Sequence, residues 1–212
     1  KEVQFYRKHF KSVEVVNPFL QELGTRLLSG RNTLVVGTSV LADTESRDAV
    51  QLASDSIKNV VIASPLIKNL PPGLYTQITD DFKVSVVGRY QDIPGAPALK
   101  DMSFVTRIDF DVPKAPVYLA QSTSGESTSP MVFSTGVDTN NCDDVLEVAD
   151  ALKLNRYKIG IICDRPKSGR LVLLGTEWAD LKVTDTEDES MPNLWFKTML
   201  SAALINLNGD FQ

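Results

Sequence analysis

Histidine is nearly missing from this 212-residue chain: His9, in a basic run from Arg7 to Lys11, is the one imidazole. Histidine is the usual general base and a common metal ligand near neutral pH. A Ser-His-Asp or Cys-His triad would have to recruit His9. A histidine-rich zinc site is excluded, because the only two cysteines, Cys142 and Cys163, lie far apart and form no Cys-x-x-Cys. Two cysteines are also too few for a disulfide framework. There is no Asn-x-Ser/Thr sequon, which together with the cysteine count favours a cytoplasmic location. No signal is visible in the segment. The longest apolar run near a chain end, Leu194 to Leu207, is interrupted by Lys197, Thr198, Ser201 and Asn206. It falls short of the ~20 residues of a membrane span. Basic residues are outnumbered, 22 against 27 acidic, for a formal net charge of −5. That balance argues against a sequence-independent nucleic-acid binder and gives no attraction to anionic lipid. The chain opens at Lys1, without a methionine, which reads as a segment excised from a larger protein.

What is present fits a globular domain, with 42% hydrophobic residues and 23% charged. Residues 1–16 read as an N-terminal arm, or a short strand at Val13 to Val16, and residues 17–212 as a single domain. Asn17-Pro18 opens a helix with Phe19, Leu20, Leu23, Leu27 and Leu28 on one face. Continuous apolar runs at 33–37, 59–63, 83–88, 158–163 and 170–174 predict buried strands of one mostly parallel sheet. A helix over 44–56 would make the first two a right-handed crossover unit. Residues 104–112 and 116–121 read as antiparallel additions, 121–130 as a polar loop and 185–190 as an acidic one. Asn141 or Asp143 would cap a helix running to Leu154. The final helix, after Met191-Pro192, is apolar around most of its girth. The fold class expected is α/β, a three-layer sandwich with a mostly parallel central sheet and antiparallel additions in the middle of the chain.

Several places invite a chemical reading. Asp109 and Asp111, at i and i+2 of a strand, could hold Mg²⁺ for phosphoryl hydrolysis, but their alternation with Ile108 and Phe110 fits a solvent face better. Gly37, Thr38 and Ser39 follow a strand and open a helix, as an anion-binding turn would, without a Walker or dinucleotide fingerprint. With Ser64 and Gly88 they form a candidate small-ligand or sugar site at strand ends. Cys163 and Cys142 are alternative nucleophiles. The former ends a strand before Asp-Arg-Pro rather than on an elbow, and the latter sits at an expected helix start with no base in view. Surplus apolar surface on the last helix leads to the expectation that Trp178 or Trp195 lies at a protein interface, Trp178 the more exposed. No cofactor or metal is called for.

The stretch from Gly169 through Gly175 to Asp180, then an acidic gap and a long apolar helix, resembles the last strand, loop and helix of glutamine-amidotransferase-like domains that lack catalysis. Such domains occur in the 48-kilodalton-type subunit of oligosaccharyltransferase, a core subunit of the intraflagellar transport complex, and bacterial gliding proteins. Residues 59–65, 84–88 and 114–116 are similar to the middle of these domains, so the likeness spans residues 33 to 208. Ahead of residue 84 this chain has Asp80-Asp81-Phe82-Lys83 where the family often carries glycines. The resemblance implies a non-catalytic domain that binds other protein subunits in a larger assembly. The enzyme readings are the rival.

Overall fold

The computed structural model describes residues 1–16, 30–106, 117–119, 129–152, 154–166, 169–184 and 188–204. In chain order the elements are α1 (Glu2–His9), β1 (Thr33–Val36), α2 (Thr38–Leu41), α3 (Arg47–Ser56), β2 (Asn59–Ala63), α4 (Pro72–Thr76), β3 (Ser85–Arg89), β4 (Ser103–Thr106), β5 (Val117–Leu119), β6 (Met131–Ser134), β7 (Cys142–Ala149), β8 (Arg156–Asp164), β9 (Arg170–Leu174), β10 (Leu181–Val183) and α5 (Ser190–Ala203). The helix expected over 17–30 lies outside the described residues, as do Asp109, Asp111 and the polar loop at 121–128.

The fold is α/β, with all five apolar runs in one eight-stranded mixed sheet. β1, β2 and β9 pair in parallel. β9 then pairs antiparallel with β8, and β8 with β7. β4 adds antiparallel to β7, while β5 and β10 form a separate two-stranded sheet. The parallel part follows from β1–α3–β2, in which a helix returns the chain to the starting edge.

The sheet forks at β8. The C-terminal half of β8 pairs with β9, from Gly160 opposite Leu174 to Asp164 opposite Arg170. Lys158, nearer its start, faces Phe133 of β6, and β3 completes that arm. Gly175 lies in the crotch. Its N–H donates to Ile159 O and its carbonyl accepts from Met131 N–H, both at 2.7 Å. A Cβ on Gly175 would stand 2.0 Å from the Met131 carbonyl oxygen, so only glycine fits.

Alternation along the strands feeds two apolar clusters. Val61, Ala63, Val172 and Leu174 join Tyr6 of α1 and Trp195, Phe196, Met199 and Leu200 of α5. Val60, Ile62, Leu171 and Leu173 join Leu41, Val50, Leu74 and Ile78 from the helical segments after β1 and β2. Arg165, in the β8–β9 turn, clamps the end of α3 by donating to the carbonyls of Ser54 and Ile57 at 2.8 Å. That places a cation where a helix leaves its last carbonyls unpaired.

Two local expectations are corrected. Residues 2–9 form α1 rather than an arm, and Val13 to Val16 are not a strand. The cations Arg7 and Lys8 in the last turn complement the helix dipole. Residues 142–149 are β7, not a helix. The ladder with β8 shifts register between Asp144 and Leu146, a bulge that buries Val145 and Leu146 together. Val145, Leu146, Val148 and Ala149 are therefore all inside, a spacing that imitates one face of a helix.

Candidate functional site

Parallel pairing of β1 and β2 brings Thr38 and Ser64 together, with their hydroxyl oxygens 2.8 Å apart. Ser64 is fully buried, and its hydroxyl also accepts the Leu66 N–H at 3.0 Å. Those bonds close the turn after β2. α2 is only four residues long, too short for an anion-binding dipole of consequence behind Gly37, Thr38 and Ser39. Gly88 is not part of this group. It lies in β3, at the other end of the sheet path, at the β3–β6 irregularity with φ +151°. The structure thus joins Thr38 to Ser64 and separates Gly88 from both.

The nucleophile readings of Cys142 and Cys163 are overturned. The two face each other across β7 and β8 and form a disulfide, with Cα atoms 4.0 Å apart. Cys142 therefore heads a strand rather than a helix, and neither sulfur is a thiol.

The interface expectation for Trp178 and Trp195 is also overturned: they are 2% and 1% exposed. α1 covers the Phe196 side of α5, while Leu194 stays 54% exposed. Phe5 meets Phe196 edge-on at 4.9 Å and stacks parallel to Trp178 at 6.3 Å. His9 sits 4.7 Å from the Phe5 ring centre and 5.5 Å from Phe196. Burial, aided by the neighbouring Lys8 charge, lowers its pKa to about 4. The single imidazole is thus neutral at pH 7 and serves as a packing group.

The first turn of α1 carries the opposite perturbation, which sequence reasoning missed. Glu2 accepts the Ala179 N–H at 2.9 Å through Oε1. Burial, with Glu177 and Asp180 near by, raises its pKa to about 7. Tyr6 lies beside the same carboxyl, and burial first and that carboxyl second hold its phenol protonated. Still, no hydrogen bond of good geometry satisfies Glu2 Oε2, the Tyr6 hydroxyl or Trp178 Nε1, all buried. Ion pairs from Lys1 to Asp180 and Lys8 to Glu189 flank the contact.

Among the described residues, no three His, Cys, Asp or Glu side chains are grouped to hold a metal ion. A cavity of about 350 Å³ runs along β1 and α3, lined by Val13, Val16, Val35, Val40 and Ala53. Its lining includes Val16 and Gly30, which border the undescribed residues 17–29.

The β7–β8 hairpin ends in a turn that presents Leu152 and Leu154, each 78% exposed. Asp150 holds the turn. Its carboxylate accepts the N–H groups of Leu154 at 2.9 Å and Asn155 at 3.2 Å, and the Asn155 side-chain amide at 2.7 Å. The Asp150 N–H donates to Asn155 O at 3.2 Å. Behind the tip, Arg156 pairs with Glu147 and Lys158 with Asp144. No helix among the described residues is long and apolar enough to cross a membrane. No family model, no curated protein and no solved structure matches the chain.

Proposed function

We propose that this chain is a non-catalytic protein-interaction domain, a scaffold within a multi-subunit assembly. The observation that carries the reading is the Cys142–Cys163 disulfide, which ties up both sulfurs that could have served as nucleophiles. The seat of His9 between aromatic rings, with its pKa near 4, supports it by taking the one imidazole out of acid–base work at neutral pH. The resemblance to inactive glutamine-amidotransferase-like domains points the same way. A disulfide of this kind persists where thiols are not kept reduced, so we place the domain in an oxidising compartment rather than the cytoplasm.

The test is a turnover screen on the purified chain, with p-nitrophenyl phosphate plus Mg²⁺, p-nitrophenyl acetate and glutamine as substrates. The expected result is no rate above buffer. Saturable phosphatase turnover that disappears in Asp109→Asn/Asp111→Asn would overturn the reading in favour of a metal-dependent phosphoryl hydrolase.

A further inference from the structure

We draw no further inference here: the strongest candidate, the cavity of about 350 Å³ along β1 and α3, is bordered by Val16 and Gly30 at the two ends of the undescribed segment 17–29, so nothing in the structure shows what covers it.

Discussion

Replacing Glu2 with Gln should leave the pH dependence contributed by His9 unopposed. Two groups on α1 titrate in opposite senses. Glu2 is raised from 4.5 to about 7, and His9 is lowered from 6.5 to about 4. A carboxyl with a raised pKa stabilises the packed state fully below 4.5, and that contribution is lost as pH rises through 7. An imidazole with a lowered pKa contributes fully above 6.5, and that is lost as pH falls through 4. At about 1.4 kcal/mol for each tenfold change in proton affinity, Glu2 is worth about 3 kcal/mol at most, and His9, less completely desolvated, is worth less. Between 4.5 and 6.5 the two slopes oppose each other, so the native chain responds to pH less than either group alone would make it. Gln at position 2 mimics the protonated acid and removes one arm. The variant should match the native chain near pH 4.5 and exceed it by about 2–3 kcal/mol at pH 7.5. Urea unfolding at half-unit steps, followed by tryptophan fluorescence, measures that difference, and subtraction cancels every carboxylate the two chains share. The groups facing Glu2, namely Glu177, Asp180, Lys1 and Tyr6, are unchanged, as are Lys8 and Glu189 beside His9. A difference that stays constant across the range would refute the assignment of the raised pKa to Glu2.

Gly175→Ala should lower stability by about 3 kcal/mol in urea unfolding, because its Cβ meets the Met131 carbonyl oxygen at 2.0 Å and must part β6 from β9. An effect under about 0.5 kcal/mol, the range of ordinary surface changes, would contradict the fork. Cys142→Ala/Cys163→Ala opens a closure of 21 positions and should cost about 3 kcal/mol, while leaving the circular dichroism spectrum at pH 7 unchanged. Thiol titration of the native chain in denaturant should find no free thiol before reduction, and two would disprove the bond.

The parallel strands were the most legible part of the chain. β2 and β9 are buried on both faces and β1 is at least partly buried along its length, so their runs are continuous and cannot be mistaken for solvent-facing ladders. α5 was legible for the same reason, being apolar nearly all round. β7 was not, because its bulge turns a period of two into one near three and a half. The disulfide was hidden with it: a helix at 142 puts the sulfurs in unrelated places, whereas a strand puts Cys142 opposite Cys163. α1 was obscured by its length of eight residues, too few for a periodic pattern to stand out, and its helicity comes from packing on α5. At the candidate sites, the nearness of Thr38 and Ser64 follows from parallel pairing and could be anticipated. The acid pair Glu177 and Asp180 around Glu2 could not, since it depends on where a terminal helix lands.

The pairing of β2 with β9 sets a condition on synthesis. Asn59 accepts the N–H of Arg170, a residue 111 positions later in the chain. At about 5–20 residues per second, β2 leaves the ribosome some 5–20 s before the strand that covers its edge. During that interval Asn59–Ala63, buried at every position in the finished fold, has β1 on one side and nothing native on the other. An unpaired apolar edge of this kind is a template for pairing with another nascent chain. The step that ends the exposure is the arrival of residues 170–174, so the yield of folded protein is set by how long the emerging chain is shielded until its last quarter is made.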